Sequence, residues 1–258
     1  MQKINKETYL LLREEKLKKI QASEQNRDLC LKCFRAKKNC FCAYIKKFDP
    51  QMKIVILMHP MELKRERVGT GRLCELSLQD SEIIMGVNFT DDKRVNALIH
   101  DEEYFSVVLY PGNEAMNISQ GEFSKFDLKG KKLLIFVIDG TWPCAKKMMR
   151  ESQNLHHLPR LSFDIHRQSE FAIKQQPGEF CLSTIEALHE LLCVWERQGN
   201  ANYGGAQEGL MDVFRELVKF QIKCSEDPNL QSYRKKKSFS SVKERKISKK
   251  WEKRKIFF

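Results

Sequence analysis

Four cysteines lie close together near the start of the chain, as Cys30-x-x-Cys33 and, six residues later, Cys40-x-Cys42. Thiolates at this density are typical ligands of zinc, which binds four of them in a tetrahedron. Because such a site has no open coordination position, we expect a structural zinc without a catalytic role. The alternative is a cluster of reduced thiols that holds no metal.

A short acidic turn is the best candidate for catalysis. Asp139 is followed by Gly140, Thr141 and Trp142 and comes directly after a strongly apolar segment. Ligands of α/β sheets bind beyond the carboxyl ends of the strands, so a carboxylate at this position can face a pocket. Taken alone, an aspartate at a strand-to-helix turn more often serves only as a cap or turn residue.

Four other polar segments can reach the same edge of a sheet. They are His59-Pro60, residues 68–73 with the sequence Val-Gly-Thr-Gly-Arg-Leu, Tyr110-Pro111-Gly112, and Ser183-Thr184-Ile185-Glu186. Glycine-containing turns let the backbone approach a ligand closely. Each segment alone is weak evidence, because most such turns only connect elements.

Alternating strands and helices must position these residues. Four apolar runs have strand length, at 53–58, 106–110, 132–138 and 161–165. The first three are continuous, as in strands buried on both faces. Helical stretches separate the runs, which predicts an α/β domain with a mostly parallel sheet flanked by helices.

Two amphipathic helices are predicted near the end of this domain. Ser183 and Glu186 match a capping box, and apolar residues then keep helical spacing to about Arg197. The apolar face of the second helix runs from Leu210 to Ile222. Another helix is expected after the acidic turn, because a proline there suits the first helical turn.

The positive charge of the chain is concentrated at one end. The formal net charge is +12, and residues 234–258 alone contain twelve Lys or Arg and two Glu. We divide the chain into a solvated helix (1–27), a four-cysteine motif (28–46), a catalytic domain (47–230) and a basic tail (231–258). A polycationic tail typically contacts nucleic acid or a membrane surface.

The compartment is predicted from what the sequence lacks. No apolar run reaches the roughly 18 residues that span a bilayer, and the first residues are not those of a signal peptide. We therefore expect a cytoplasmic protein without a membrane part. In a reducing compartment, an odd total of nine cysteines favours buried apolar positions over disulfides for the five outside the cluster, Cys74, Cys144, Cys181, Cys193 and Cys224.

Together and in this order, the motifs resemble the DTW-domain family over about residues 28–220. The resemblance is carried by the four cysteines with Arg35, His59-Pro60-x-Glu62, Thr70-Gly71-Arg72-Leu73, Tyr110-Pro111, Asp139-x-Thr141-Trp142 with Ala145-Lys146, and Ser183-Thr184-x-Glu186-Ala187. It implies a fold related to the SPOUT methyltransferases, with a knotted pocket for S-adenosylmethionine. It also implies transfer of the donor's 3-amino-3-carboxypropyl group to a uridine of tRNA, with release of methylthioadenosine.

A reaction of this kind suggests candidate roles for individual residues, both within the resemblance and in the basic tail outside it. Asp139 is the candidate general base for N3 of the uridine, or the group that stabilises the sulfonium. The donor pocket is expected to contain Thr70, Gly71, Tyr110, Pro111, Asp139, Thr141, Trp142, Ser183, Thr184 and Glu186. Contacts to the donor carboxylate or to tRNA phosphates are expected from Arg65, Arg67 and Arg72, and phosphate contacts from the tail residues Arg234, Lys235, Lys236 and Lys237.

Some of these roles have purely structural alternatives. Trp142 can equally be a core aromatic, and the capping box by itself accounts for Glu186. At the level of the whole protein, a SPOUT-type RNA methyltransferase would share the fold and substrate but release S-adenosylhomocysteine. A non-enzymatic zinc- and RNA-binding module would account for the cysteines and tail, but not for the Asp139 turn. We expect a monomer that binds tRNA, S-adenosylmethionine and a structural zinc.

Overall fold

A parallel sheet forms the centre of the protein in the computed structural model, which describes residues 30–65, 69–112, 114–125, 128, 130–165, 167–171 and 181–226. Its six strands lie in the order β2-β1-β5-β3-β6-β4, and all neighbours are parallel. The strands are β1 (Lys53–Met58), β2 (Ser81–Met85), β3 (Tyr104–Leu109), β4 (Met116–Asn117), β5 (Lys132–Asp139) and β6 (Arg160–Ser162). The predicted helix over 1–27 and the predicted tail lie outside the described residues.

Helices cover both faces of this sheet, as predicted for an α/β domain. They are α1 (Pro60–Arg65), α2 (Thr70–Ser77), α3 (Lys93–Ile99), α4 (Trp142–Glu151), α5 (Gln153–His156), α6 (Thr184–Arg197) and α7 (Glu208–Glu226). One core lies between the sheet and α2, α6 and α7, and a second lies between the sheet and α3, α4 and α5. None of the helices in the described ranges is long and apolar enough to cross a membrane.

The central strand β5 shows how the two cores divide the side chains. Leu133, Ile135 and Val137 belong to the core with α2, α6 and α7, whereas Leu134 and Phe136 belong to the opposite core. Successive side chains of a strand point to opposite faces. The strand ends at Asp139, whose side chain therefore faces α2 and α6.

The sheet differs from the prediction at its edges. Strand β2 was not predicted, because it is a short edge strand of partly buried residues that pairs with β1 alone. Strand β3 begins earlier than predicted, at Tyr104. Strand β6 ends at Ser162 rather than residue 165, and the Asp164 N–H then donates to Ser119 Oγ at 3.0 Å instead of continuing a ladder.

The three predicted helices that fall within the described residues are confirmed. The capping box of Ser183 and Glu186 begins α6, and Pro143 lies in the first turn of α4. Helix α7 ends at Glu226, two residues before Pro228, the residue predicted to close it. Of the five scattered cysteines, Cys74 and Cys181 are buried as expected, whereas the other three are only partly buried and lie in α4, α6 and α7.

Short 3-10 helices connect the larger elements. They cover Lys37–Asn39, Cys42–Tyr44, Ile118–Gln120 and Glu122–Lys125. The first two belong to the four-cysteine motif, and the second of these contacts α7. The motif is therefore packed on the domain rather than separate from it.

Candidate active site

Asp139 lies where the middle of the sheet meets two helices. It is the last residue of β5 and pairs with Met58, the last residue of β1, in the parallel register. Its backbone carbonyl accepts a hydrogen bond from the His59 N–H at 2.9 Å, which fixes the strand end. The side chain is only 5% exposed, so the carboxylate is buried beneath the edge of the sheet rather than lying at the surface.

The carboxylate is held between the amino-terminal ends of α2 and α6. The Thr184 hydroxyl donates to Asp139 Oδ1 at 2.5 Å from the first residue of α6. On the α2 side, a Cβ added to Gly71 would lie 2.5 Å from Asp139 Oδ2, so the glycine is what permits this close approach. Helix amino termini favour negative charge, and two of them therefore stabilise an anionic Asp139.

Two further residues lie close to Asp139. His59 Nδ1 accepts a hydrogen bond from the Met61 N–H at 3.1 Å, which gives this histidine a local role at the start of α1. Cys74 of α2 is fully buried, and burial together with the Asp139 charge raises the pKa of its thiol well above the ordinary range. A neutral thiol beside a carboxylate adds packing but no second charge to the pocket.

The remaining strand ends place four predicted pocket residues at the same edge. Thr141 precedes α4 and accepts from the Ala145 N–H at 2.8 Å, and Trp142 is partly buried at its first position. Tyr110 and Pro111 follow β3 and are also partly buried. Tyr110 donates its N–H to Leu161 O at 3.1 Å, which joins this turn to β6.

Arg160 is a residue of this edge that the sequence did not single out. It begins β6, and one of its guanidinium nitrogens lies 3.4 Å from the Cβ position of Gly112. Burial raises the pKa of the neighbouring Tyr110 phenol, while the Arg160 charge opposes that rise. Only the pairing of β6 with β3 brings this cation to the Tyr110 turn, and no local sequence pattern encodes that pairing.

Glu186, another predicted donor-pocket residue, is enclosed by hydrogen bonds at the start of α6. It is 1% exposed, and its carboxylate accepts hydrogen bonds from the N–H and hydroxyl of Ser183 at 2.9 and 2.5 Å. It also accepts from the Ser169 hydroxyl at 2.8 Å and the Glu170 N–H at 2.7 Å. These contacts join the start of α6, which also carries Thr184, to residues 169–170.

The four predicted cysteine ligands come together in space. Cys30 and Cys42 Sγ are 3.7 Å apart, Cys33 and Cys40 Sγ are 3.6 Å apart, and all four sulfurs lie within 4.8 Å of one another. A tetrahedral zinc with bonds of about 2.3 Å separates its sulfurs by about 3.8 Å. Backbone N–H groups of Cys33 and Lys32 lower the pKa of the Cys30 thiol to about 6, whereas burial and the neighbouring thiols raise that of Cys42, so all four thiols lose their protons together only when a cation binds among them. The donor set therefore fits zinc.

Two arginines attach this cysteine motif to the domain. The Arg35 guanidinium lies between two aromatic rings, 3.8 Å from the Phe41 centroid and 4.2 Å from that of Phe220 in α7. Arg72 of α2 donates to the Lys32 carbonyl at 2.8 Å and pairs with Glu75 at 2.8 Å. The guanidinium of Arg72, predicted to contact the donor or RNA, is thus largely engaged within the protein.

The other predicted RNA contacts are not placed by the structure. Arg65 is the last residue of α1, but its side chain is not described, and Arg67 lies outside the described residues. The four tail residues from Arg234 to Lys237 also lie outside them.

A second cluster of metal-ligand types, on α6 and α7, is better explained by hydrogen bonding. His189 Nε2 lies 2.8 Å from Glu208 Oε1, and Arg167 Nη2 lies 3.0 Å from His189 Nδ1. Because arginine only donates, Nδ1 must accept, and the proton on Nε2 is directed at Glu208. Burial raises the pKa of the adjacent Cys193 thiol to about 11, so that thiol stays neutral. The cluster joins α6 and α7 and presents no free ligand set.

These features define an α/β protein with a buried carboxylate at the carboxyl edge of a parallel sheet and a four-cysteine cluster packed on the same domain. The chain belongs to the DTW domain family, whose model matches residues 27–222. No solved structure matches the chain.

Several relatives carry the name of an enzyme. The chain is 27% identical to tRNA-uridine aminocarboxypropyltransferase 2 of Macaca fascicularis over 77% of its own length and 65% of that protein. It is 32% identical to the Drosophila melanogaster protein of the same name over 76% of each chain. It is 24% identical to tRNA-uridine aminocarboxypropyltransferase A of Arabidopsis thaliana over 79% of its own length and 84% of that protein. The chain thus spans just under two thirds of the macaque relative.

Proposed function

We propose that the chain is a tRNA-uridine aminocarboxypropyltransferase that uses S-adenosylmethionine as donor. The family membership and the names of the relatives support this activity. The observation that carries it is the enclosed Asp139 carboxylate, which brings the segments around Gly71, Thr184 and His59 together at one strand end.

The proposed reaction forms one bond and breaks another. Uridine N3 loses its proton and attacks the terminal carbon of the donor's aminocarboxypropyl chain. The bond between that carbon and sulfur breaks, and its electron pair converts the sulfonium to the thioether of methylthioadenosine. The nucleophile attacks whichever carbon of the sulfonium faces it. The orientation of the donor therefore decides between aminocarboxypropyl transfer and methyl transfer, and positioning the donor is the main catalytic task.

Asp139 has two roles available in this reaction. As a carboxylate within hydrogen-bond reach of N3 it accepts the uridine proton, and as an enclosed anion it attracts the positive sulfonium. We propose a donor pocket of Thr70, Gly71, Tyr110, Pro111, Thr141, Trp142, Ser183 and Thr184 around it, with Glu186 holding the start of α6 in place. We also propose the knotted SPOUT relationship of this pocket, which the parallel order of the central strands permits.

The four cysteines are proposed to hold a structural zinc. Their sulfur spacing fits a tetrahedral ion, and a closed set of four thiolates supplies folding stability rather than chemistry. Contacts to tRNA phosphates are proposed for Arg65, Arg67 and the basic tail, because cations of this number give strong and salt-sensitive binding.

The test is to incubate the purified protein with bulk unmodified tRNA and S-adenosylmethionine and identify both products by mass spectrometry. We expect 3-(3-amino-3-carboxypropyl)uridine in the tRNA and methylthioadenosine in solution. Asp139→Ala should abolish both products while retaining the wild-type melting temperature within a few degrees. Release of S-adenosylhomocysteine with a methylated base would contradict the proposal and identify a methyltransferase.

A further inference from the structure

The surface of the cysteine motif is both apolar and basic. Leu31, Phe34 and Tyr44 are 86%, 45% and 47% exposed, and they are three of the four exposed large hydrophobics in the described part of the chain. Residues 30–48 contain six Lys or Arg and no Asp or Glu. Exposed aromatics interleaved with cations are typical of surfaces that stack on the bases of single-stranded nucleic acid.

Phe34 has a backbone conformation that suits glycine better than phenylalanine. Its φ is 56°, in the left-handed region, where a Cβ is sterically unfavourable. The turn requires this conformation, because the Phe34 N–H donates to Cys30 O at 2.8 Å and the Cys30 N–H donates to Arg35 O at 2.7 Å. A side chain kept at a steric cost, and left exposed, points to a role outside the fold.

The ring of Phe34 is fixed from one side. The Arg72 guanidinium lies over it, 4.9 Å from the centroid, and is itself held by Lys32 O and Glu75. Arginine on one face of a ring leaves the opposite face and the rim as the exposed area. A flat base can stack on that exposed area while Arg72 stays in place.

The position of this ring relates it directly to the candidate active site. Arg72, which touches the ring, follows Gly71 in α2, and Gly71 lies against the Asp139 carboxylate. Arg72 and Gly71 therefore connect the exposed ring of Phe34 to the Asp139 carboxylate, which is the group that must face the target uridine. A nucleotide near that uridine in the same RNA strand can reach the ring.

We propose that Phe34 is a stacking platform for an unpaired tRNA base close to the modified uridine, with the exposed Lys32 and Lys37 beside it facing the phosphates. The proposal rests on the proposed function, because it takes tRNA as the substrate. It deepens that function by assigning the cysteine motif a substrate-binding surface in addition to its metal.

The decisive variant is Phe34→Gly in the full zinc-loaded chain, because glycine removes the ring and relieves the backbone at once. We expect the KM for bulk unmodified tRNA, and its dissociation constant by gel shift, to rise by about five- to 150-fold. The melting temperature should be unchanged or higher, and zinc content and S-adenosylmethionine affinity should equal those of the wild type. Phe34→Trp should restore tRNA binding to within about threefold, since indole stacks at least as well.

The matched control is Tyr44→Ala, which removes an equally exposed aromatic from the α7 side of the same motif. It should change tRNA affinity by less than about threefold. An unchanged affinity in Phe34→Gly, or a loss that comes with lost zinc or a lower melting temperature, overturns the proposal. An equal loss in Tyr44→Ala also overturns it. If the wild type makes no modified uridine, the proposed function is wrong. The tRNA dissociation constants from the gel shift still test the stacking role of Phe34 in that case.

Discussion

Gly71→Ala is the substitution for which the structure gives the clearest expectation. The new Cβ would lie 2.5 Å from Asp139 Oδ2, 3.0 Å from Asp139 Cγ and 3.0 Å from Met58 Cε. Ordinary contacts need about 3.5 Å, so α2 and the carboxylate must separate by about 1 Å. The Thr184 hydroxyl is already 2.5 Å from the other carboxylate oxygen, which leaves Asp139 little room to retreat.

The expected loss of activity is much larger than the expected loss of stability. Overpacking costs about 1–3 kcal/mol, and alanine returns up to about 1 kcal/mol of helix propensity, so the net destabilisation is about 0–2 kcal/mol. A displacement of about 1 Å in a positioned catalytic group costs about 100-fold in rate. We therefore expect kcat/KM for aminocarboxypropyl transfer to fall about 100-fold while the protein remains folded.

Gly69→Ala provides the matched control within the same segment. Gly69 has φ −79° and ψ 168°, which alanine adopts freely, and a Cβ there meets nothing within 4 Å. It should retain wild-type activity within about threefold. Initial rates of methylthioadenosine release and urea unfolding of both variants are the required measurements. If Gly71→Ala keeps activity comparable to that of Gly69→Ala, the close packing of α2 on Asp139 is not needed for the reaction.

Three further predictions concern the surroundings of the site. Cys33→Ser should release zinc, measured by atomic emission, and lower the melting temperature by several degrees; retention of one zinc per chain would exclude this ligand. Glu186→Gln should destabilise the protein by about 2 kcal/mol in urea unfolding, because the amide cannot accept all four hydrogen bonds that the carboxylate accepts. A raised KM for the donor with unchanged stability would instead indicate that Glu186 binds the donor directly. The hydrogen bond from Arg94 lowers the pKa of Glu82 from its usual 4.5, so this pair stabilises the fold above about pH 4.5 and loses that effect as the pH falls through the lowered value. Arg94→Gln should therefore lower the free energy of unfolding by about 0.5 kcal/mol at pH 7 and leave it unchanged near pH 2. A difference in stability that does not depend on pH would show that the Arg94–Glu82 ion pair is not its cause.

The sequence predicted the parts of the fold that depend on local pattern. The continuous apolar run before Asp139 predicted a buried parallel strand, and Ser183 with Glu186 predicted a helix start, because burial and capping leave direct traces in residue type. The Cys30–Cys42 spacing predicted a four-ligand cluster for the same reason. Each of these inferences needed only neighbours in the chain.

Contacts between elements that are far apart in the sequence could not be predicted from local patterns. The sequence gives no sign that the Gly71 backbone packs on the Asp139 carboxylate, since 68 positions separate them. It predicted solvent- or ligand-facing roles for Arg72, whereas its guanidinium bonds to the cysteine motif. It also missed strand β2, whose mixed polar and apolar residues are typical of an edge strand that pairs on one side only.

The charge balance of the pocket leads to a last prediction about the role of Asp139. The amino termini of α2 and α6 meet at this carboxylate. Without the negative charge of Asp139, the proposed pocket would therefore present a positive potential. The proposed donor carries a sulfonium, which such a potential repels, whereas S-adenosylhomocysteine is the uncharged thioether of similar shape. Asp139→Asn should therefore weaken S-adenosylmethionine binding by about ten- to 100-fold and S-adenosylhomocysteine binding by less than about threefold in calorimetry. An equal effect on both ligands would remove the electrostatic role and leave proton transfer from the uridine as the function of this side chain.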